Sequence, residues 1–273
     1  MKLFEAIEIL REAGIESADY DAREIFRHLS RDRGIGYIMK HLECENEELE
    51  LAVLRRAKRE PLQYILGSVG FYREDYTVNE SVLIPRADTE HLVDYAVRHI
   101  PEGERFIDIC TGSGCIAIST LNNTKATTAL AIDISPAALE VAKQNAEKIG
   151  VSERLTLREC DILTAPDLGE RAYAVLANPP YVSESAYASL EPEIYREPKE
   201  AFVGGEDGGD FYRALVPYAK GLIKPEGFIA FEIGYDQKEL ISSLAEENGL
   251  NIELIKDYSD NWRVAVMRFP RSE

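Results

Sequence analysis

Beyond Asp88, short apolar runs of strand length alternate with segments of helical periodicity, and this alternation restricts the possible folds strongly. The apolar runs cover residues 105–109, 128–132, 154–158, 173–177 and 227–233. The clearest helix covers 135–149, where Ser135 can cap the first turn, Pro136 suits that turn and Gly150 can close the last one. Such alternation is typical of a parallel sheet with helices on both faces. We therefore predict an α/β fold with a Rossmann-like sheet for residues 88–273.

The first part of the chain has a different hydrophobic pattern. Apolar residues recur there at helical spacing, at Ala22, Ile25, Phe26 and Leu29 and again at Leu49, Val53 and Ala57. We predict four or five short helices within residues 1–66. The period changes to about two in 71–85, with Asn79 and Glu80 as turn residues, which predicts a β-hairpin linker over residues 67–87. Residues 251–270 indicate two further strands around a polar turn at 257–261.

Composition excludes several classes of protein. The 49 acidic residues outnumber the 31 basic ones and give a net charge of −18, which disfavours a general grip on phosphate backbones. No apolar stretch reaches the roughly 20 residues that span a bilayer, and the N-terminus carries too many charges for a signal peptide. The four cysteines and four histidines lack metal-ligand spacing. We expect a cytoplasmic monomer with no metal, no membrane association and no stable nucleic-acid binding.

A glycine-rich loop joins the first apolar run to a helix of small residues. Gly112 and Gly114 allow backbone N–H groups to approach a ligand, and Asp133 follows the second run, where a carboxylate can hold ribose hydroxyls. The loop alone is compatible with a nicotinamide cofactor, with S-adenosylmethionine or with a plain tight turn, and Asp108 ahead of it favours S-adenosylmethionine. The residues expected around this cofactor are Asp108, Cys110, Thr111, Gly112, Ser113, Gly114 and Asp133.

The tetrapeptide Asn178, Pro179, Pro180 and Tyr181 follows the fourth run, at the end of the sheet where open α/β folds bind ligands. Its residue types suit chemistry at a planar nitrogen whose lone pair is delocalised. The Asn178 side-chain oxygen and a backbone carbonyl of the proline pair can accept hydrogen bonds from that nitrogen and direct its lone pair. The ring of Tyr181 can pack on the planar group and hold it in line. Taken alone, the tetrapeptide also fits a proline-rich turn.

This tetrapeptide resembles the catalytic motif of methyltransferases that act on planar nitrogens. Three further stretches, 82–90, 197–213 and 232–237, resemble one branch of that superfamily, the glutamine N5-methyltransferases of peptide-chain release factors. The resemblance implies a Rossmann-like methyltransferase sheet that uses S-adenosylmethionine, and a small N-terminal helical domain, joined by a β-hairpin, that binds the protein substrate. It implies methylation of the glutamine in the Gly-Gly-Gln loop of release factors, and hence a role in translation termination.

The resemblance also implies roles for individual residues. Catalysis and substrate binding fall to Asn178, Pro179, Pro180 and Tyr181, while Asn178, Asp161 and Ile162 join the cofactor site, the last two beside the adenine. The chain departs from the family pattern where Cys110 replaces a glycine, Ala87 a proline and Gly209 a leucine. Cys110 tolerates a positive φ poorly, so we expect a slight change in the cofactor loop.

Other functions, and purely structural explanations of some motifs, are also compatible with the sequence. A DNA or RNA amino-methyltransferase could use the same tetrapeptide, a nicotinamide-dependent oxidoreductase would use only the glycine loop, and a non-catalytic binding module would use neither. The glycines Gly204, Gly205, Gly208 and Gly209 are also compatible with a flexible surface loop. Arg86 and Glu90, four residues apart at a helix entrance, are expected to form a solvated ion pair.

Overall fold

The computed structural model describes residues 1–29, 47–125, 127–169 and 171–270. The chain divides into two compact units. One consists of Met1–Ser68 together with Glu191–Arg196, and the other consists of Val69–Leu190 and Glu197–Glu273. The short segment 191–196 therefore belongs to the first unit, although the residues before and after it belong to the second.

The described part of the first unit is helical. Its helices are α1 (Leu3–Glu12), α2 (Ala18–Leu29), α3 (Glu47–Ala57) and the short α4 (Leu62–Leu66). The predicted spacing places Ala22, Ile25 and Phe26 of α2 in an apolar core with Leu49 and Val53 of α3. The fifth predicted helix would fall in residues 30–46, outside the described residues.

The second unit begins with a hairpin of β1 (Ser68–Phe71) and β2 (Glu74–Thr77). The predicted turn at Asn79 and Glu80 is wrong, because Tyr72, with a φ of 56°, and Arg73 join the two strands. Asn79 instead closes a local turn, in which its side-chain oxygen accepts a hydrogen bond from the Ser81 N–H at 2.9 Å. Asn79 and Glu80 therefore belong to a turn, but this turn follows β2 and lies outside the hairpin.

A seven-stranded sheet forms the centre of this unit, in the order β5-β4-β3-β6-β7-β9-β8. The strands are β3 (Arg105–Ile109), β4 (Thr128–Asp133), β5 (Leu155–Glu159), β6 (Ala172–Ala177), β7 (Ile223–Glu232), β8 (Asn251–Lys256) and β9 (Trp262–Arg268). The first five strands in this order pair in parallel, whereas β9 is antiparallel to both β7 and β8. The predicted α/β sheet is confirmed, with two antiparallel strands at one edge.

Helices cover both faces of the sheet, and 3₁₀ turns connect several elements. The helices are α5 (Glu90–His99), α6 (Cys115–Asn122), α7 (Pro136–Ile149), α8 (Glu184–Tyr187), α9 (Asp210–Leu222) and α10 (Lys238–Glu247). The 3₁₀ turns are Ala87–Thr89, Ser152–Arg154, Ile162–Thr164, Ile194–Arg196 and Lys199–Ala201. Phe106 packs in the core shared with α5, α6 and α7, while Ile107 packs in the core shared with α9 and α10. In the described residues, every helix is too short or too polar to cross a membrane.

Candidate active site

The register of the parallel strands brings the predicted site residues to one edge of the sheet. Ile109 of β3 pairs with Ile132 of β4 and with Ala177 of β6, and Ala177 pairs with Phe231 of β7. The residue that follows each member of this row is, in turn, Cys110, Asp133, Asn178 and Glu232. The cofactor loop, the acidic residue and the tetrapeptide therefore lie side by side at the carboxyl ends of neighbouring strands.

The glycine loop has a shape that leaves its outer surface open. Cys110, Gly112 and Gly114 have φ values of 59°, 54° and 82°. A Cβ on residue 114 would lie 2.6 Å from the Ile118 side chain, whereas a Cβ on residue 112 would meet nothing within 4 Å. Gly114 is thus required for close helix packing, and the space beside Gly112 is available to a ligand. Cys110 adopts the left-handed conformation that a glycine would hold at lower cost.

Asp133 supports this loop through both of its carboxylate oxygens. Its Oδ2 accepts a hydrogen bond from the Gly112 N–H at 2.8 Å, and its Oδ1 accepts one from the Ser135 N–H at 2.9 Å. Burial raises the pKa of Asp133, which these backbone hydrogen bonds oppose. A carboxylate oxygen has two lone pairs, so both oxygens can still accept from a hydroxyl group.

Asp108 is fully buried beneath the loop and incompletely satisfied. Its Oδ2 accepts hydrogen bonds from the Thr111 hydroxyl at 2.5 Å and the Ala117 N–H at 3.2 Å, while its Oδ1 has no partner among the described residues. Burial raises the pKa of Asp108 to about 7, and the hydrogen bonds from Thr111 and Ala117 oppose this effect. The Ser113 hydroxyl is likewise buried without a partner in the described chain. Unpaired polar atoms beside an open loop fit a polar, positively charged ligand.

Asp161 and Ile162 follow β5, the strand next to β4. The Asp161 Oδ1 accepts a hydrogen bond from the Leu163 N–H at 2.9 Å and so caps the 3₁₀ turn. Ile162 is 7% exposed and belongs to the apolar core under the sheet. The side chain of Ile162 therefore packs mainly against the protein.

Asn178 is tied to two residues that lie outside the predicted catalytic set. Its Nδ2 donates a hydrogen bond to the Thr89 hydroxyl oxygen at 3.2 Å, and the Thr89 hydroxyl donates to Glu232 Oε2 at 2.6 Å. The Tyr181 hydroxyl donates to Glu232 Oε1 at 3.2 Å. Thr89 and Glu232 are 2% and 1% exposed. Both stand in segments that resemble the family, 82–90 and 232–237, and that resemblance was the signal for them in the sequence.

The second glycine cluster packs against the tetrapeptide, so the interpretation as a flexible surface loop is wrong for Gly204 and Gly208. A Cβ on residue 204 would overlap the Pro180 carbonyl oxygen, and one on residue 208 would overlap the Tyr181 carbonyl oxygen. Gln237 Nε2 donates hydrogen bonds to the carbonyl oxygens of Tyr181 at 2.8 Å and Gly208 at 3.3 Å. These glycines are needed because two backbone segments approach closely.

Gly209 departs from the family pattern, and the ends of two flexible side chains lie beside it. A Cβ at this position would lie 2.7 Å from Leu240 Cδ2 and 2.8 Å from Arg213 Nη1. Both atoms are side-chain ends that can move, so nothing in the structure explains the departure from the family pattern at this position.

The expected ion pair between Arg86 and Glu90 is wrong. Arg86 pairs instead with Glu197, whose side chain is 1% exposed and whose Oε2 accepts a hydrogen bond from the Ile84 N–H at 2.9 Å. Glu90 Oε1 accepts a hydrogen bond from the Tyr72 N–H at 2.8 Å. Burial raises the pKa of Glu197, and Arg86 opposes this effect. Arg86 and Glu90 lie four residues apart in the sequence, but each pairs with a residue from another segment.

The described residues contain no group of three or more His, Cys, Asp and Glu that could hold a metal ion. The site consists of hydrogen-bond acceptors, backbone N–H groups and buried carboxylates.

Comparisons with known proteins agree with this geometry. Residues 91–178 match the family described as "Methyltransferase domain", and residues 3–67 match the "PrmC N-terminal domain". A release factor glutamine methyltransferase of Moorella thermoacetica is 42% identical over 76% of this chain and 75% of that protein. One of Clostridium acetobutylicum is 34% identical over 97% of this chain and 96% of that protein.

A solved structure supports the fold alone. The ribosomal protein L11 methylase of Lactobacillus delbrueckii subsp. bulgaricus superposes with a TM-score of 0.53 at 19% identity, over 71% of this chain and 84% of that one.

Proposed function

This chain belongs to the release factor glutamine methyltransferase family, and we propose that it methylates the side-chain amide nitrogen of the glutamine in the Gly-Gly-Gln loop of a peptide-chain release factor. S-Adenosylmethionine is the methyl donor of this enzyme class. The observation that carries the proposal is the tetrapeptide Asn178–Tyr181 beside the glycine loop, in one row at the edge of the sheet.

A primary amide has two N–H groups, and the tetrapeptide offers two acceptors for them. The carbonyl oxygen of Pro180 faces Gly204, and that of Tyr181 accepts from Gln237. Within the described chain, neither the Asn178 Oδ1 nor the Pro179 carbonyl oxygen accepts a hydrogen bond. We therefore assign these two oxygens to the substrate amide. Two acceptors at fixed positions would orient the planar group and raise the electron density on its nitrogen.

The residues proposed to hold the donor surround the glycine loop: Asp108, Cys110, Thr111, Gly112, Ser113, Gly114, Asp133, Asp161, Ile162 and Asn178. When bound, S-adenosylmethionine supplies a methyl group on a positively charged sulfur, which keeps the electron pair of the C–S bond after transfer. The buried Asp108, with its unpaired Oδ1, offers a negative partner for a positively charged ligand. Asp133 shapes the loop and offers acceptors to hydroxyl groups.

The chain's own contribution to the reaction is orientation. Asn178 and Pro179 hold the amide so that its nitrogen lone pair forms the new N–C bond, and the nitrogen then releases one N–H proton to solvent. Tyr181 presents its ring to the planar amide, and the hydrogen bond from its hydroxyl to Glu232 restricts that ring. Holding the two reacting groups in line accounts for a large part of such a rate enhancement.

We also propose that residues 1–66 form the domain that binds the release factor, that 67–87 form the linker and that 88–273 form the methyltransferase domain. The match of 3–67 to a separate family supports a distinct module. Removing residues 1–66 should raise the KM for an intact release factor more than it changes donor affinity. The role is refuted if a folded truncated protein, checked by circular dichroism, keeps the full kcat/KM.

The competing hypothesis is methylation of an exocyclic amine of DNA or RNA. The experiment supplies labelled donor with a purified release factor in one reaction and with unmodified DNA or RNA in another. We expect label only in the release factor, located on the glutamine by mass spectrometry. A release factor with glutamate at that position should remain unlabelled, because a carboxylate has no nitrogen to methylate. Label in the nucleic acid alone would overturn the proposal.

A further inference from the structure

Thr89 and Glu232 form a buried series of hydrogen bonds that ends at Asn178. Thr89 ends the 3₁₀ turn before α5, and Glu232 ends β7. The three side chains are joined in series, with 3.2 Å from Asn178 Nδ2 to Thr89 Oγ1 and 2.6 Å from Thr89 Oγ1 to Glu232 Oε2. The Tyr181 hydroxyl also donates a hydrogen bond to Glu232, to Oε1 at 3.2 Å.

We propose that Thr89 and Glu232 are positioning residues, which fix the carboxamide of Asn178 so that its oxygen faces the substrate amide. The proposal rests on the proposed function, because it explains how one of the two acceptors obtains its orientation. It concerns residues that act through Asn178.

The direction of each hydrogen bond follows from the number of protons available. An ionised carboxylate only accepts, so the single hydroxyl proton of Thr89 must point to Glu232. The Thr89 oxygen can then only accept, and the carboxamide can supply a proton only from Nδ2. Rotating the Asn178 carboxamide by half a turn would place two acceptor oxygens against each other. The series therefore selects one of the two orientations of Asn178, with Oδ1 directed away from Thr89.

The same carboxylate also holds the other end of the tetrapeptide. Glu232 Oε1 accepts from the Tyr181 hydroxyl while Oε2 accepts from Thr89, so one buried group restrains both Asn178 and the aromatic ring. Burial of a carboxylate without such partners is strongly unfavourable, because the charge loses its hydration. The hydroxyl groups of Thr89 and Tyr181 thus stabilise the charge of Glu232, and the carboxylate in turn fixes the orientation of both hydroxyl groups.

The protonation state of Glu232 decides whether the selection works. Burial raises the pKa of Glu232 to about 7, while the hydrogen bond from Thr89 and the positive charge of Arg263 oppose this effect. The other ionisable groups that face it from neighbouring elements are Asp88, Tyr181, Tyr212 and Cys115. A protonated Glu232 can donate to Thr89, whose hydroxyl is then free to donate to Asn178 Oδ1. The acceptor meant for the substrate is lost in that state, so the rate should rise with pH through about 7.

The test compares Thr89→Val, which removes the hydroxyl at nearly constant volume, with Thr89→Ser, which restores it. At saturating donor and release factor, we expect Thr89→Val to lower kcat by about 10- to 100-fold, the range for a misplaced reacting group, and Thr89→Ser to recover most of that loss. Donor affinity should be unchanged in both. Thr120→Val is the matched control, because Thr120 is fully buried and its hydroxyl has no partner among the described residues.

Two further measurements separate positioning from a merely structural role. In an Asn178→Ala background, Thr89→Val should cause no further loss of kcat, because Glu232 keeps its hydrogen bond from Tyr181 in both backgrounds and the effect of Thr89 on the rate passes through Asn178. Glu232→Gln should lose the rise of kcat with pH that we expect for the parent protein near pH 7. An equal loss in both backgrounds, a full rate in Thr89→Val, or an unchanged pH profile in Glu232→Gln overturns the proposal.

A measurement without turnover keeps this test independent of the proposed function. In protein labelled with ¹⁵N at asparagine, one Nδ2 proton of Asn178 should be shifted by its hydrogen bond, and that shift should disappear in Thr89→Val. The shift should also titrate near pH 7 in the parent and not in Glu232→Gln. If the shift is present but no release factor is methylated, the positioning stands and the substrate is wrong. If methylation occurs without the shift, the positioning is wrong.

Discussion

The carbonyl oxygen of Pro180 lies against the Cα of Gly204, and the space between them is too small for a side chain. A Cβ on residue 204 would overlap this oxygen and would lie 2.8 Å from the carbonyl oxygen of Gly208. The loop after β6 thus supports the tetrapeptide from behind, and the position of the proposed acceptors depends on the close approach of Gly204 to Pro180.

Gly204→Ala should therefore lower the methyl-transfer rate while leaving donor affinity unchanged. Overpacking of this kind costs roughly 1–3 kcal/mol and shifts the backbone, and a shift of about 1 Å at reacting groups can cost 10²-fold in rate. Gly221→Ala in α9 is the control, because a Cβ there meets nothing within 4 Å. That variant should be fully active and slightly more stable. Equal rates for both variants would show that the close approach is irrelevant to catalysis.

Asn178→Ala should bind the donor like the parent protein but transfer methyl groups on the order of 10²–10³ times more slowly. The substitution removes an acceptor that matters most when charge develops on nitrogen. Asn178→Asp should also be slow, because it places a second carboxylate near Glu232 and has no N–H for Thr89. Single-turnover rates and calorimetric donor titrations provide the comparison. Parental turnover in both variants would mean that the tetrapeptide is only a turn.

Asp133→Ala should weaken donor binding by roughly 1.5–3 kcal/mol, the range for a hydrogen bond to a charged group. The side chain both accepts from the Gly112 N–H and offers acceptors to hydroxyl groups, so its loss acts on loop shape as well as on contact. Asp75→Ala is the control, since Asp75 is an exposed carboxylate paired with Lys148. Calorimetric titration of both variants measures the difference. An unchanged affinity in Asp133→Ala would remove Asp133 from the donor site.

Donor affinity should increase as the pH rises from about 5.5 to about 7.5. Burial raises the pKa of Asp108 to about 7, so the free protein holds a proton there that a positively charged ligand must displace. The same shift means that the protein without ligand loses stability as the pH rises from the ordinary carboxyl range towards 7. Asp108→Asn should bind weakly and with a flat pH dependence. A flat profile in the parent protein would contradict the assignment.

Arg56→Met should destabilise the first unit strongly. Arg56 Nε contacts Asp21 Oδ2 at 2.6 Å and its Nη1 contacts Glu193 Oε1 at 2.8 Å, and all three side chains are largely buried. Removing Arg56 leaves the buried carboxylate of Asp21 without its cation, while Glu193 keeps Arg59, and breaking a buried pair in this way typically costs about 3–5 kcal/mol. The matched control is Arg23→Met, which breaks an exposed pair with Asp19 and should leave the stability of the first unit nearly unchanged. Hydrogen exchange of α2 and α3 reports both effects, and similar exchange in the two variants would refute the distinction.

The sequence by itself determined the features that depend on nearby residues. The bounds of β3 follow from the mostly apolar run Arg105–Ile109, and α7 begins at Pro136, directly after its cap Ser135, and ends before Gly150, whose φ is 86°. The glycine loop and the tetrapeptide could be recognised in the sequence because each consists of consecutive residues whose types and spacing suit a particular chemistry. The row of Cys110, Asp133 and Asn178 could also be expected, since the carboxyl ends of parallel strands meet at one edge.

Only the tertiary structure decided which distant side chains complete the site. Thr89 meets Glu232 across 143 positions of the chain, and Arg86 meets Glu197 across 111. A hydrogen bond needs two groups within about 3 Å, and spacing along the chain carries no information on that distance once several strands intervene. The local pattern therefore suggested Glu90 as the partner of Arg86 and left Thr89 without a role. The order of the strands placed Glu232 beside the buried hydroxyl of Thr89, and the connection between β6 and β7 placed the buried Glu197 beside the half-exposed Arg86.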